Sequence, residues 1–252
     1  MKIVIACPSY KRPKVETLDY IPYCRVYVAP EEYDDYVKAN PKWDIVKCDE
    51  WIQWNLCRVR NYILDKEFEN WADVVLIIDD DLKKIWRFEW DSEYILTADD
   101  MKPFIEKYSI LAKDLGAYFR WINVNSDKKC YREYSPFSMT SYIWWPFQCF
   151  LNDWWLRYDE NLPLKEDYDM TLQQCNKFRK VLRVNAYHYF CKQSEQSWGC
   201  ATYRNIERET QQFELLRKKW GDKIVKSDTL ASKRNRKFLD YNPQIHIPIK
   251  WI

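Results

Sequence analysis

Three consecutive aspartates, Asp79, Asp80 and Asp81, follow the apolar run of residues 74–78. Five aliphatic residues in a row are typical of a buried strand, and open α/β sheets bind ligands at the carboxyl ends of their strands. Side-chain alternation would point Asp79 and Asp81 to one side and Asp80 to the other. Two carboxylates so placed can bind Mg²⁺ or Mn²⁺ and leave coordination positions for substrate phosphates. A solvated surface turn is the alternative, but it does not explain the aliphatic run.

A second acidic pair, Glu166 and Asp167, opens a predicted helix shortly after Pro163. A hydroxyl that acts as a nucleophile needs a base within hydrogen-bond reach. Amide donors at a helix start would keep such a carboxylate ionised, as a base requires. The pair therefore predicts a general base, with ordinary helix-capping acids as the alternative.

Glycine is scarce, with only Gly116, Gly199 and Gly221 in 252 residues. Dinucleotide-binding and P-loop motifs need several glycines, because their backbone amides must approach phosphate closely. Neither motif can be assembled after the first predicted strand. We therefore expect any nucleotide phosphate to be neutralised by a divalent cation, Mn²⁺ or Mg²⁺, with help from arginines.

Short β-branched runs alternate with helical patterns, which predicts an α/β fold with a mostly parallel sheet flanked by helices. The predicted strands are residues 3–7, 26–29, 44–48, 74–78, 117–124, 138–145 and 181–187. The predicted helices are residues 56–64, 97–115, 166–175 and 205–220. The third of these begins with the acidic pair, and the first leaves Arg58 and Asn61 off its apolar stripe.

Length and composition favour one domain over residues 1–225, followed by a basic extension at 226–252. Residues 217–252 carry a net charge of +7, which favours a polyanionic partner. No apolar run approaches the ~20 residues of a membrane span, and the nine cysteines are irregularly spaced. We expect a soluble, cytoplasmic protein without a membrane partner and with reduced thiols.

Five motifs follow one another along the chain. They are Cys7-Pro8-Ser9-Tyr10-Lys11-Arg12-Pro13, Arg58-Val59-Arg60-Asn61, Ile78-Asp79-Asp80-Asp81, Leu162-Pro163-Leu164-Lys165-Glu166-Asp167 and Asn185-Ala186-Tyr187-His188. Their order and spacing over roughly residues 2–190 resemble GT-A-fold glycosyltransferases of the family 2 type. The resemblance implies a GT-A, Rossmann-like α/β fold with a mixed, mostly parallel sheet. It also implies inverting transfer of a sugar from a nucleotide donor.

The same resemblance implies a role for each motif. The residues that would bind the donor are Pro8, Ser9, Tyr10, Arg12, Arg58, Asn61, Asp79 and Asp80. Asp79 would hold ribose or nucleoside hydroxyls, and Asp81 would ligate the metal. His188 would be a further metal ligand, although a core histidine is an equally good interpretation. Asp167 would be the catalytic base, with Glu166 as its supporting partner. An ordinary polar turn and a solvated helix face are the alternatives for the first two motifs.

A narrower similarity, to the TET-associated glycosyltransferases of bacteriophages, rests on three features. These are residues 5–13, the Trp-rich middle, and Tyr203-Arg204 before Lys219-Trp220-Gly221. Such enzymes are thought to modify hydroxymethylated pyrimidines in DNA. This similarity implies a UDP-sugar donor, carrying glucose or arabinose, and 5-hydroxymethylcytosine or a related base in phage DNA as the acceptor.

The acceptor side would be formed by aromatic and basic residues. Trp144, Trp145 and Trp154 could stack on a base or sugar, and core packing is the alternative for each. The candidate phosphate contacts are Lys218, Lys219, Lys233, Arg234, Arg236 and Lys237. Such contacts would make DNA affinity depend on salt, whereas a solvated tail would not bind DNA at all.

Three other functions are compatible with these residues. A glycosyltransferase could act on a glycan, lipid or protein acceptor. A metal-dependent phosphodiesterase or nuclease could use the same aspartates and would need no nucleotide sugar. A DNA-binding module without enzymatic activity would explain the basic end of the chain, but not the acids that follow a buried strand.

Overall fold

The computed structural model describes residues 1–52, 55–89, 92–123, 131–142, 146–152, 156–191, 205–227 and 243–249. The helices are α1 (Thr17–Tyr20), α2 (Tyr33–Ala39), α3 (Leu56–Glu69), α4 (Ala98–Asp114), α5 (Glu166–Phe178) and α6 (Ile206–Trp220). The first seven strands are β1 (Ile3–Pro8), β2 (Arg25–Val28), β3 (Ile45–Lys47), β4 (Val74–Ile78), β5 (Leu82–Glu89), β6 (Ser92–Ile95) and β7 (Phe119–Asn123). The remaining strands are β8 (Phe137–Ser138), β9 (Phe147–Leu151), β10 (Leu182–Cys191), β11 (Val225–Lys226) and β12 (Gln244–Ile245).

Ten strands form one mixed sheet in the order β3-β2-β1-β4-β9-β7-β10-β5-β6, with β8 paired to β10. Strands β1 to β4 pair in parallel, as do β7 and β10. The other pairings within this sheet are antiparallel, including those of β9 with β4 and with β7. The structure thus confirms an α/β fold with a mixed sheet flanked by helices. The prediction that the sheet is mostly parallel is wrong, because most strand pairings outside β1–β4 are antiparallel.

The strand order reverses at β1, which has β2 on one side and β4 on the other. Register pairs Ala6 with Ile77, so the carboxyl ends of β1 and β4 lie side by side. All five residues of β4 are buried. Crevices at such a switch point are the usual ligand sites of open α/β sheets. The fold therefore brings residues 8–12 and the aspartates to the same edge.

Some predicted elements fit closely and others do not. Strand β4 has its predicted bounds, and Thr97 and Asp100 form the predicted capping box of α4. The strand predicted at 138–145 is wrong in residues 139–142, since the chain pairs as β8 before them and as β9 after them. Strand β5 was missed because its buried residues recur every third position, at Leu82, Ile85 and Phe88, instead of alternating.

The main hydrophobic core follows the large sheet, and a smaller cluster lies between α5 and α6. Strand β11 pairs with β12, so the domain boundary expected at residue 225 falls within a strand pairing. Ile247 and Ile249 pack against the main core. The basic extension stays a prediction for residues 228–242, which lie outside the described residues.

Helix α6 is held to α5 by a buried carboxylate. Asp169 accepts hydrogen bonds from the Trp220 indole (2.7 Å) and from Lys219 Nζ (3.0 Å), and Lys219 also contacts Asp159 (2.7 Å). Lys219 therefore has two carboxylate partners within the protein. Its predicted role as a phosphate contact has no support from this geometry.

We expect Lys219→Met to destabilise the fold by about 2 kcal/mol, because it removes a cation from the fully buried Asp169. Urea unfolding measures this loss. Lys218→Met is the matched control, since Lys218 is an exposed neighbour on the same helix. Equal stability of the two variants would contradict the structural role of Lys219.

Candidate active site

The three aspartates lie in the turn between β4 and β5, held by a threonine that the sequence pattern did not indicate. Thr17 is fully buried, and its hydroxyl donates to the Asp79 carbonyl (2.6 Å). Its amide donates to the Asp80 carbonyl (3.1 Å), and its hydroxyl accepts from the Leu82 amide (2.9 Å). The aspartates occupy a turn and not an extended strand, so the alternation of strand side chains does not apply to them. Asp80 and Asp81 both lie near Arg12, whereas Asp79 lies near Arg60.

Asp80 points towards the loop after β1. Its carboxylate accepts hydrogen bonds from Ser9 Oγ (2.6 Å) and from Arg12 NH1. Tyr36 closes this group, because its hydroxyl is bonded to Ser9 Oγ (2.8 Å) and accepts from the Arg12 amide (2.9 Å). Arg12 NH1 also lies 3.6 Å from Asp81 Oδ2. The structure therefore brings the first and third predicted motifs together.

The remaining residues of the first motif border the same loop. Pro8 is the last residue of β1, and its neighbour Ser9 donates its amide to the Tyr27 carbonyl (3.0 Å). Tyr10 is partly exposed, with the Lys11 ammonium 5.1 Å from its ring centre. Tyr10 thus lies at the loop surface, and its donor-binding role stays a prediction.

Asp79 points instead towards a buried arginine on α3. Arg60 NH2 lies 3.8 Å from Asp79 Oδ1, and Arg60 NH1 donates to Glu166 Oε1 (3.0 Å). The guanidinium lies 5.6 Å from the centre of the Tyr158 ring. The sequence could have indicated this position, since Cys57, Arg60 and Leu64 share the buried stripe of α3. One cation therefore joins the aspartate turn to the second acidic pair.

Glu166 and Asp167 begin α5 and are 5% and 4% exposed. Asp167 Oδ1 accepts from the Tyr168 amide (2.8 Å), as expected for an acid at a helix start. The preceding Lys165 is turned away, since its ammonium is bonded to the buried Glu209 of α6. Glu166 therefore has Arg60 as its ion-pair partner, whereas both Lys165 and Arg60 act on Asp167 through their charges.

Burial raises the pKa of carboxylates both in the aspartate turn and at the start of α5. It raises the pKa of Asp79 to about 7 against the opposing charge of Arg60, and that of Asp80 to about 6 against Arg12. Burial, with repulsion from Glu166, also raises the pKa of Asp167 to about 7. Desolvation therefore outweighs the Tyr168 amide, so Asp167 ionises near neutral pH and not near its usual value.

Arg58 and Asn61 lie on other faces of α3. Arg58 Nε donates to Glu160 (2.9 Å) and its NH1 to the Trp51 carbonyl (3.1 Å). Asn61 donates to the Tyr158 carbonyl (2.9 Å) and accepts from the Tyr158 amide (2.7 Å). Neither contact reaches the aspartate turn. Their donor-binding roles stay predictions, and Arg60, between them in sequence, is the residue at the carboxylates.

The predicted metal ligand His188 does not face the aspartate turn. It is 1% exposed and stacks between Trp86 (4.9 Å between ring centres) and Phe88 (4.5 Å). It pairs with Trp86, four residues along β5 from Leu82, which is about 13 Å of strand. The next residue, Tyr189, has its pKa raised by burial, by Cys191 and by both Asp79 and Asp167. His188 thus has the environment of a core histidine, and the charges of Asp79 and Asp167 act on the neighbouring Tyr189.

The acids at this edge suit a hard cation. Asp79, Asp80 and Asp81 supply carboxylate oxygens, which Mg²⁺ and Mn²⁺ prefer. The cations paired with them are Arg12 and Arg60. Among the described residues no set of three or more His, Cys, Asp or Glu is arranged as a complete metal cage. One or two carboxylates completed by substrate phosphates would still bind Mg²⁺, so the residues fit.

Most of the predicted acceptor contacts lie outside the described residues. These are Trp144, Trp145, Trp154, Lys233, Arg234 and Arg236, with Lys237. In the part of the chain that is described, no helix is both long and apolar enough to cross a membrane.

Comparison with known proteins adds the following. No family model and no curated protein matches the chain. Among solved structures, the chain is similar to A197 from STIV, with a TM-score of 0.45 and 11% identity over 78% of this chain and 88% of that chain. At this level of similarity the neighbour carries no conclusion about function.

Proposed function

We propose that this protein is an inverting, metal-dependent glycosyltransferase with GT-A architecture. The observation that carries the proposal is the link made by Arg60 between Asp79, after β4, and Glu166, at the start of α5. A donor bound at the aspartate turn and an acceptor hydroxyl at Asp167 would lie on two sides of one buried cation. This arrangement supports direct transfer between two substrates in a single site.

Each group has a role that its chemistry supports. Ser9, Tyr10 and Arg12 bind the base and its ribose, and Asp79 accepts hydrogen bonds from ribose hydroxyls. Asp81 would hold Mn²⁺ or Mg²⁺, which would offset negative charge on the leaving diphosphate. Asp167 takes the proton of the acceptor hydroxyl. The acceptor oxygen bonds to the anomeric carbon, the bond from that carbon to the diphosphate oxygen breaks, and the diphosphate leaves with the electron pair.

The proposed donor is a UDP-sugar carrying glucose or arabinose, and the proposed acceptor is a 5-hydroxymethylpyrimidine in DNA. This acceptor is supported by the resemblance in sequence motifs and by the basic end of the chain. The hydroxymethyl group lies in the major groove of duplex DNA, so the enzyme must reach into the groove or flip the nucleotide out.

The protein, Mn²⁺, and UDP-glucose or UDP-arabinose are incubated with hydroxymethylcytosine DNA, and nucleosides are analysed by mass spectrometry. We expect the target nucleoside to gain the mass of a hexose or pentose, and unmodified cytosine DNA to stay unchanged. Transfer to a glycan or protein but not to DNA would contradict the acceptor alone. Release of nucleotide or phosphate products from DNA without a UDP-sugar would instead favour a phosphodiesterase.

A further inference from the structure

Arg60 contacts acids on both sides of the proposed site, although it is only 2% exposed. NH1 donates to Glu166 (3.0 Å), and NH2 lies 3.8 Å from Asp79. Burial alone would lower the pKa of Arg60, but Tyr158, Glu166 and Asp79 raise it above its usual value. The buried guanidinium therefore stays positively charged beside the carboxylates of Glu166 and Asp79.

The surroundings of Arg60 restrict its movement. Its guanidinium lies against the ring of Tyr158, whose backbone exchanges two hydrogen bonds with the Asn61 side chain. The Tyr158 hydroxyl donates to Gln148 Oε1 on β9 (2.5 Å). Arg60 is also on the buried stripe of α3. A side chain held in this way can fix the acids that it contacts.

We propose that Arg60 is a positioning residue that couples the donor side of the site to the acceptor side, an inference that rests on the proposed function. Its two terminal nitrogens hold Glu166 relative to Asp79. The adjacent Asp167 is thereby held at a constant position relative to the donor. Loss of this link would misplace the base, and an error of about 1 Å in a reacting geometry can cost about 100-fold in rate.

The charge of Arg60 also acts on Asp167 itself. The titratable and charged groups that influence Asp167 or are influenced by it come from several elements, and they are Arg60, Tyr142, Tyr158, Lys165, Glu166 and Tyr189. The Tyr168 amide, Lys165 and Arg60 oppose the penalty that burial places on ionised Asp167, and the Lys165 ammonium is hydrogen-bonded to Glu209. Removing Arg60 should therefore raise the pKa of Asp167 and move the acidic limb of the activity profile to higher pH.

The test compares Arg60→Met, Arg60→Lys and the control Arg25→Met. Arg25 also pairs with a buried acid of α3, Glu67, about 10 Å along the helix from Arg60. We expect Arg60→Met to lower kcat about 100-fold and to shift the acidic limb to higher pH. Arg60→Lys should recover part of both effects. Arg25→Met should keep the wild-type pH profile even if it is less stable.

A binding measurement tests the link without turnover. The affinity for UDP with Mn²⁺ is measured by calorimetry for wild type, Arg60→Met, Glu166→Gln and the double variant. If Arg60 acts only through its charge at a distance, Arg60→Met changes the UDP affinity equally with Glu166 or Gln at position 166. If Arg60 links the two sides through Glu166, the effects of the two substitutions on affinity are not additive. We expect non-additivity of about threefold or more. If Arg60→Met does not fold, Arg60→Lys completes the same cycle.

The outcomes separate the two proposals. Non-additive binding in a protein that transfers no sugar supports the role of Arg60 and overturns the proposed function. Transfer by the wild type, with additive binding and an unshifted pH profile in Arg60→Met, overturns the Arg60 link and leaves the function standing. A protein that binds no UDP with Mn²⁺ overturns both.

Discussion

Replacing Asp167 by Asn should lower sugar transfer by about 10²–10⁴-fold and at the same time raise thermal stability at pH 8. The loss of rate follows because an amide cannot accept the proton of the acceptor hydroxyl. The gain in stability follows because Asp167 is 4% exposed and burial raises its pKa to about 7. Ionised Asp167 thus lowers the stability of the folded state. Asn at this position carries no charge, and its side-chain oxygen can still accept the hydrogen bond from the Tyr168 amide.

The sign of the pH dependence follows from proton binding. In the unfolded chain an aspartate titrates near pH 4, whereas folded Asp167 keeps its proton to about pH 7. Between these values the folded state binds more protons, so wild-type stability falls as pH rises. The advantage of Asp167→Asn should be small at pH 4 and should reach on the order of 2–4 kcal/mol above pH 7.

Urea unfolding of wild type and Asp167→Asn between pH 4 and pH 8 measures this difference. Asp65→Asn is the control, because Asp65 is 53% exposed and its contact with Arg157 lies at the surface. Its effect should be small at every pH. A stability difference for Asp167→Asn that does not grow with pH would contradict a raised pKa at this position.

Local sequence signals were sufficient for the elements that carry the site. The aliphatic run of β4, the capping box of α4 and the acidic start of α5 are each set by neighbouring residues, and the structure has all three. The choice between Arg58 and Arg60 depended on which face of α3 meets the sheet. A motif read by its spacing alone does not show this, whereas the buried stripe through Cys57 and Leu64 does.

Long-range pairing explains most of what sequence patterns could not show. Strand β9 inserts antiparallel between β4 and β7, and β5 follows the aspartate turn directly to pair with β10. His188 was grouped with the metal site by its order in the chain, but its register opposite Trp86 places it among aromatic rings. The burial that raises the pKa of Asp167 likewise comes from packing, which helix-start chemistry alone does not reveal.

Asp81→Asn should abolish Mn²⁺-dependent transfer while leaving the protein folded. Asp81 is 6% exposed, ends the aspartate turn and has Arg12 NH1 3.6 Å from its carboxylate. An amide oxygen carries no full charge, so the cation loses an ionic ligand. Because metal stabilisation of a leaving group contributes several kcal/mol, we expect a fall of about 10³-fold or more.

A thermal shift measurement separates the metal role from a general loss of activity. UDP with Mn²⁺ at about 100 times its Kd should stabilise the wild type by about 2.7 kcal/mol, and Asp81→Asn should lose most of this gain. Asp80→Asn should keep more of it, because Ser9 and Arg12 already occupy the Asp80 carboxylate. Wild-type turnover in Asp81→Asn, or an undiminished Mn²⁺ shift, would refute Asp81 as the ligand. The contrast between adjacent aspartates therefore tests which carboxylate of the turn ligates the cation.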